Sequence, residues 1–446
     1  MGEEKRLRLW SLAWPIFVET TLFMLLGFVD VFILSKYDDL AASAVGTANQ
    51  AVSIVAIVFS VLSSASAVLI SQYLGAKKRE SASRIAALSI TMQLTAGIII
   101  SAVLILFHQS ILRFIGADGR LLDFAGEYLS IVGGFLFLQA LHTAMSVIVR
   151  NHGMTKLSMF VTVGMNLFNT ALDTVLVLGL LGFPQLGVRG VAIATSLSRV
   201  LGVTVLGVVL FTKVEKLSIF RQLKPFPWTD VRDIFKIGIP AAMETFLYNL
   251  SQLVITSIVL NCLTETELIT KTYVQNITMF FYVFAISIGQ ASQIIVGHLV
   301  GAQKHDEAYR QAITAHRRAL LIALAVSGLG AIFRTQLLGV YTDDAAVIAM
   351  GANVLLINLL LEFGRTTNLV LIASLRGAGD VYFPTACAIT SNWAVSVAGS
   401  YLFAVVLGWG IYGLWVALAA DEIFRGILMI LRWRSGKWRE KRVVKD

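Results

Sequence analysis

Four polar side chains interrupt long apolar segments of this sequence, and their types suit the binding of a small cation. They are Asp30, Asn169, Asp173 and Thr195. An ionised Asp at the centre of a membrane helix costs roughly 2.5–3.5 kcal/mol, so each carboxylate is a candidate functional residue. Asn169 and Asp173 are four residues apart and therefore share one helix face. If the four side chains converge, they could hold a proton or a sodium ion.

The two carboxylates determine the chemistry that such a site could perform. Two of these groups in a low-dielectric environment resist joint ionisation, so Asp30 and Asp173 should titrate as a unit. A bound proton or Na⁺ would relieve their repulsion and change the packing of the helices. The six histidines are scattered without metal-ligand spacing. We therefore expect no metal site other than Na⁺ at Asp30 and Asp173.

Two glutamates follow prolines at equivalent places in the chain. Glu19 lies four residues after Pro15, and Glu244 lies four residues after Pro240. Proline frees a backbone carbonyl and permits a kink in a membrane helix. The two glutamates could attract a cationic substrate to a central cleft, or they could cap kinked helices symmetrically near the interface. The sequence leaves both interpretations open.

Arg365 is a further charged residue inside an apolar segment. It lies three residues after Glu362, so an ion pair on one helix is the simpler interpretation. The alternative is a switchable partner for Glu244 across the cleft.

The elements that would position these residues are transmembrane helices. Hydrophobic residues make up 57% of the chain and charged residues 14%, against about 25% charged in globular proteins. About 20 apolar residues cross the ~30 Å hydrocarbon core. The sequence predicts twelve such spans, near 10–35, 46–74, 85–107, 122–148, 157–181, 187–211, 233–262, 272–300, 311–334, 346–374, 382–407 and 410–431.

The distribution of basic residues predicts the orientation of the chain. Most of the 36 Lys and Arg residues fall in alternate connections and at the two ends. Basic loops stay in the cytoplasm, so both termini are expected there, in the inner membrane. The net charge of +9 is explained by this orientation, and no nucleic-acid partner is expected.

The chain repeats itself at an offset of 226 residues. ASAVLISQYLGAKKRESA begins at Ala65 and ASQIIVGHLVGAQKHDEA begins at Ala291, while Arg150 matches Arg376 at the same offset. Duplication of an apolar chain is typical of secondary transporters. Six spans in each half give both halves the same orientation. The expected fold is an all-α integral membrane protein with twelve transmembrane helices in two six-helix lobes, related by a parallel repeat, with an N-lobe at 1–212, a cytoplasmic linker at 213–230 and a C-lobe at 231–446.

The repeat also distinguishes functional from structural acids. Asp30 matches Ile255 and Asp173 matches Gly399 in the second half. A structural role would be expected in both halves, whereas these carboxylates occur in one. This asymmetry favours a functional role for Asp30 and Asp173.

Over nearly its whole length the chain resembles the MATE (multidrug and toxic compound extrusion) family of cation-coupled exporters. The resemblance is carried by the order and spacing of several segments, among them WPIFVETTLFMLLGFVD, SQYLGAKKRESA, NLFNTALDTVLVLGLLGFPQLGVRGVAIATSLSR, VGHLVGAQKHDEA, LRGAGDVYFP and GWGIYGLWVALAADEIFRG. It implies two six-helix lobes that form a V and open alternately to the two sides.

The resemblance also implies roles for individual residues. The family's N-lobe cation site is similar to Asp30, Asn169, Asp173 and Thr195, and a kink at the proline matching Pro15 is linked to protonation of that site. Some members instead use a C-lobe Na⁺ site with an acidic residue on span 10. Arg365 stands near that place in this chain, so the N-lobe site is favoured.

The expected function is a secondary antiporter that exports amphipathic, cationic compounds in exchange for H⁺, or for Na⁺, by alternating access. Its partners would be small molecules and membrane lipid, with no cofactor beyond the coupling ion, and it would act as a monomer. No GxxxxGK[ST], HExxH or GxSxG motif suggests an enzyme. The alternatives are a lipid-linked oligosaccharide or lipid flippase of the same superfamily, which would need a cationic cleft, and a channel, which would present symmetric rings of pore-lining groups.

Overall fold

The computed structural model describes residues 7–444, apart from the side chain of Phe28. The predicted positions of the two termini fall partly on residues 1–6 and 445–446, which lie outside the described residues. All regular elements in the described range are helical. The helices of the first half are α1 (Leu9–Ser35), α2 (Asp39–Gly75), α3 (Arg79–Ile115), α4 (Gly119–Gly134), α5 (Leu136–Asn151), α6 (Thr155–Leu178) and α7 (Val188–Val209).

The second half repeats this order after a π-turn at Leu210–Val214 and a short 3₁₀ helix at Leu217–Leu223. Its helices are α8 (Trp228–Cys262), α9 (Glu265–Gly301), α10 (His305–Ile332), α11 (Arg334–Gly339), α12 (Ala345–Gly377), α13 (Tyr382–Ser391), α14 (Ala398–Ser400) and α15 (Gly410–Arg434). Two π-turns, Asn392–Val397 and Tyr401–Val406, join α13 and α14 into one apolar segment. A last 3₁₀ helix covers Lys437–Lys441.

The lengths of these helices match the thickness of a bilayer. Within the described residues, ten helices are each long and apolar enough to cross a membrane, and the pair α4 and α5 makes an eleventh span. We take α15, which is 25 residues long, as the twelfth. It carries Asp421, Glu422 and Arg425, which lower its mean hydropathy. The all-α membrane fold predicted from the sequence is confirmed.

The fourth span is bent, which the sequence analysis did not predict. α4 ends at Gly134 and α5 begins at Leu136, and the two axes differ by 47°. Gly133 and Gly134 stand at the break, and consecutive glycines are a common cause of a kink because they hold a helix weakly.

The repeat extends to the backbone conformation. Lys77 and Gln303, which are 226 residues apart, both adopt left-handed backbone angles, with φ of 60° and 61°. Gly153 and Gly379, at the same offset, have φ of 81° and 93°. Few non-glycine residues adopt a left-handed conformation, so its recurrence at Lys77 and Gln303 shows that the two turns are structurally equivalent.

The chain divides into two compact units. The first takes the described residues of Met1–Ala13, Ser71–Lys77 and Ile239–Asp446, and the second takes Trp14–Ile70 and Lys78–Gly238. The segment 213–230, predicted as a linker, belongs to the second unit. A tightly packed core in the second unit joins five of its helices, through residues such as Leu34, Val45, Leu112, Leu129 and Val188.

Within the first unit, the end of α2 crosses α9 with direct backbone contact. A Cβ placed on Gly75 would lie 1.9 Å from the carbonyl oxygen of His298, and a Cβ on Gly301 would lie 2.0 Å from the carbonyl oxygen of Gln72. Only glycine permits such an approach. The Gln72 amide strengthens this crossing, since it donates to the Gly377 carbonyl at 2.9 Å.

Candidate functional site

The four residues predicted to bind a cation are all buried in the second unit. Asp30 lies near the end of α1 and is 5% exposed, while Asp173 on α6 is fully buried. Asn169 lies one turn before Asp173, and Thr195 lies on α7. Helix packing brings α6 and α7 together along their length.

The Asp30 and Asp173 carboxyl groups lie side by side. The Tyr128 hydroxyl on α4, which donates to the Asn49 side chain at 3.1 Å, lies close to both of them. The structure therefore brings together two carboxyl groups from helices that are far apart in sequence. Four helices contribute to this cluster: α1, α4, α6 and α7.

The oxygen atoms of this cluster are buried and lack hydrogen-bond partners among the described residues. They are Asp30 Oδ1, Asn169 Oδ1, Asp173 Oδ1, Asp173 Oδ2 and Thr195 Oγ1. A buried polar atom without a partner costs free energy, so such atoms usually mark a place where something else binds. The group contains two carboxylates, and an amide and a hydroxyl supply the remaining oxygens. It can hold a proton between the carboxyl groups or a small cation among the oxygens.

A polar stripe on α6 connects this cluster to a second one, and the sequence analysis missed it. Its members face inward and are spaced three or four residues apart: Thr155, Ser158, Thr162, Asn166, Asn169 and Asp173. That spacing marks one helix face. It was visible in the sequence, but only Asn169 and Asp173 were selected from it as site residues.

Glu19 is held at the other end of this stripe. Its carboxylate accepts hydrogen bonds from Ser146 at 3.0 Å and from Ser158 at 3.1 Å, and Arg150 lies 3.9 Å away. Glu19 is 4% exposed. Pro15 lies one turn earlier inside α1, which continues as a helix through it.

Glu244 has the same arrangement in the first unit. Arg376 and Thr385 donate to its carboxylate at 2.7 and 2.8 Å, and Pro240 lies one turn earlier inside α8. Arg150 and Arg376 are repeat mates, so the two Glu–Arg pairs are equivalent. The 226-residue offset contained this signal, because it relates both the glutamates and the arginines. The structure thus gives each glutamate an arginine and a hydroxyl partner, as symmetric helix capping would require.

Arg365 lies in a buried ionic cluster of the first unit and does not contact Glu244 among the described ion pairs. It donates to Glu362 at 2.8 Å, lies 3.9 Å from Glu422 and stacks over the Tyr282 ring at 4.8 Å. Arg425 pairs with Asp421 at 2.8 Å in the same region. The arrangement agrees with a self-satisfied ion pair.

A cavity of about 150 Å³ lies in the first unit. Its lining residues are Glu244, Thr245, Tyr248, Ala388, Ile389, Asn392 and Arg425. Asn392 opens one of the two π-turns, a feature that often marks functional sites in helices. The cavity contains charges of both signs, and each of its charged groups has an ion-pair partner.

Comparisons with known proteins agree with this arrangement. The MatE family model matches residues 15–175 and 240–402, one segment in each half. The chain is 39% identical to the uncharacterized transporter YisQ of Bacillus subtilis, over 98% of this chain and 96% of that protein. It is 29% identical to the probable multidrug resistance protein NorM of Thermotoga maritima, over 99% of this chain and 94% of that protein.

Solved structures share the fold. A crystal structure of MATE in a bent conformation superposes with a TM-score of 0.88 at 21% identity, covering 96% of this chain and 94% of that one. A MOP superfamily transporter from Pyrococcus furiosus, described as having a binding pocket of reversed polarity, superposes with a TM-score of 0.87 at 22% identity, over 96% and 94% of the two chains. With a family match across both halves and a full-length relative at 39% identity, this chain belongs to the MATE family of membrane transporters.

Proposed function

We propose that this transporter is a secondary antiporter of the cell membrane, which exports amphipathic, cationic compounds in exchange for H⁺. The observation that carries the proposal is the buried Asp30–Asp173 pair with unpartnered oxygens. Such a pair binds a cation from solution at the cost of its own hydration and gains the relief of carboxylate repulsion. The repeat has Ile255 and Gly399 in the equivalent positions, so this chemistry belongs to one half of the molecule.

Binding of an ion can drive transport only if the ion binds two conformations with different affinity. A site with contributions from α1, α4, α6 and α7 meets this condition whenever one of these helices moves relative to the others. α1 carries Asp30 near one end and Pro15 near the other. We propose that proton binding at Asp30 and Asp173 alters the packing of α1 and favours release of the substrate to the outside.

The substrate class rests on the relatives. The Thermotoga maritima relative is named a probable multidrug resistance protein, and compounds handled by such proteins are typically amphipathic. Glu19 and Glu244 were candidates to attract a cationic substrate. Because both are already paired with arginine and a hydroxyl, we now assign them a structural role beside the prolines.

Fold similarity does not separate this proposal from a flippase of the same superfamily. The Pyrococcus furiosus transporter and the MATE structure superpose equally well on this chain. What favours the antiporter is the acidic character of the site: its two carboxylates suit a coupling cation, whereas a flippase for lipid-linked sugars would require basic groups to bind pyrophosphate.

The test is transport in proteoliposomes that contain the purified protein. The fluorescent cation ethidium is loaded, and a pH gradient or a Na⁺ gradient is imposed separately. We expect the pH gradient alone to drive ethidium movement. Asp173→Asn should abolish this movement, because the amide removes the proton acceptor while keeping the shape. Asp123→Asn, at an exposed position on α4, is the matched control and should transport normally. Full activity of Asp173→Asn would remove the carboxylate pair from the mechanism.

A further inference from the structure

Arg199 is a buried membrane arginine that lacks the partners of comparable arginines. Arg365 and Arg425 each bond to an acidic residue of their own helix at 2.8 Å. Arg199 on α7 has no such acid, and its Nη1 atom is shielded from solvent without a hydrogen-bond partner among residues 7–444. A charge at membrane depth is costly, so an unpaired one is expected to serve a function.

The surroundings of Arg199 connect it to the carboxylate cluster. Arg199 lies four residues after Thr195, so both side chains share one face of α7. The guanidinium acts electrostatically on Asp30 and on the Tyr128 hydroxyl. His142 on α5 is the other titratable group nearby. It packs against α7 where Gly202 leaves room: a Cβ there would lie 3.3 Å from His142 Cδ2.

We infer that Arg199 is the resident cation of the Asp30–Asp173 site and makes this site selective for H⁺ over Na⁺. The inference rests on the proposed antiport and adds the residue that determines its ion. Two carboxylates and one guanidinium leave a single negative charge in the empty site. One proton neutralises that charge.

A sodium ion would supply the same charge under worse conditions. It would have to lie near a fixed positive group in a medium where charge repulsion is several times stronger than in water. It would also need several oxygen ligands, and the guanidinium can donate up to five hydrogen bonds to those same oxygens. A proton forms an O–H bond with one carboxylate and needs no coordination shell. The arginine therefore penalises Na⁺ more than H⁺.

The experiment compares three variants in the ethidium assay with separate pH and Na⁺ gradients. Wild type should respond to the pH gradient and ignore Na⁺. Arg199→Met removes the charge and retains length and apolar bulk. It should raise the ratio of Na⁺-driven to H⁺-driven transport by at least about tenfold, the scale expected for removing a like charge at close range. Arg199→Lys keeps the charge and should behave like wild type.

The control is Arg189→Gln, on the same helix. Arg189 is exposed and pairs with Glu127 on the surface, so its replacement should leave ion preference unchanged. A second measurement needs no variant: equal Na⁺ on both sides should not inhibit H⁺-driven transport by wild type. Inhibition by Na⁺, or an Arg199→Met protein that elutes as a single species and still ignores Na⁺, would overturn the inference.

These outcomes separate the two proposals. If wild type responds to neither gradient, the antiport itself is wrong. If wild type is driven by H⁺ and Arg199→Met keeps the wild-type ion preference, antiport stands and the role of Arg199 is wrong. If wild type is driven by Na⁺, the carboxylates remain the coupling site and Arg199 does not exclude the metal.

Discussion

Asp30 and Asp173 reduce the stability of the folded chain whenever both are ionised, and that property makes them useful for coupling. Their buried oxygens have no hydrogen-bond partners in the described chain, and unpaired buried charges destabilise a protein strongly. A ligand that removes this penalty stabilises the state to which it binds. The residues were predicted from the sequence because a carboxylate inside an apolar segment is rare and costly.

Glu244 is a residue whose role the structure changes from substrate attraction to pairing. Glu244→Gln would leave the Arg376 guanidinium without its charged acceptor. We expect the free energy of unfolding to fall by about 1–3 kcal/mol, the usual cost of an unsatisfied buried group, measured as a lower melting temperature of the detergent-purified protein. Export of cationic and neutral substrates should decline equally.

Glu440→Gln is the control for this change, since Glu440 is exposed in the same unit. A melting temperature of Glu244→Gln equal to that of Glu440→Gln would contradict the pairing role. A selective loss of cationic substrates would restore the role in substrate attraction.

Among the elements, α2 and α9 depend on two glycines at their crossing. Gly75→Ala and Gly301→Ala would each place a methyl group about 2 Å from a backbone carbonyl, and backbone atoms cannot move aside as a side chain can. Overpacking of this kind typically costs about 1–3 kcal/mol. We expect both variants to melt at lower temperature or to express poorly.

Gly46→Ala provides the comparison on the same helix, because a Cβ at Gly46 meets nothing within 4 Å. It should be neutral or slightly stabilising, since alanine favours helix over glycine. If Gly75→Ala and Gly46→Ala melted alike, the close backbone crossing would be wrong.

At this scale the sequence predicted where helices occur better than how they face one another. Apolar length alone determines a span, so all twelve segments were found. The bend between α4 and α5 was missed, although Gly133 and Gly134 indicate it. The partners of Glu19 and Glu244 were missed because they depend on the rotation of each helix about its axis, which an almost uniformly apolar surface leaves undetermined. Arg199 was noticed inside a span, but its neighbours come from α1, α4 and α5 and required the structure.

For the whole molecule, the distribution of basic residues predicts that the C-terminal end faces the cytoplasm. Green fluorescent protein fused after residue 446 should therefore fluoresce in cells, because it folds in the cytoplasm and fails to fold when exported through the general secretion route. A fusion placed after Gly408, between α14 and α15, should be dark. The opposite pattern would reverse the orientation and, with it, the direction assigned to ion and substrate.

The crossing of α2 and α9 also bears on the origin of the chain. Gly75 meets His298 and Gly301 meets Gln72, and each partner is the repeat mate of the other glycine's own neighbour three residues back. A contact that exchanges equivalent residues in this way is isologous, which is the condition that a symmetric homodimer must satisfy. A six-helix ancestor could have formed this contact between two identical subunits before its gene was duplicated and fused. The fused chain was then free to keep its carboxylate pair in one copy and lose it from the other.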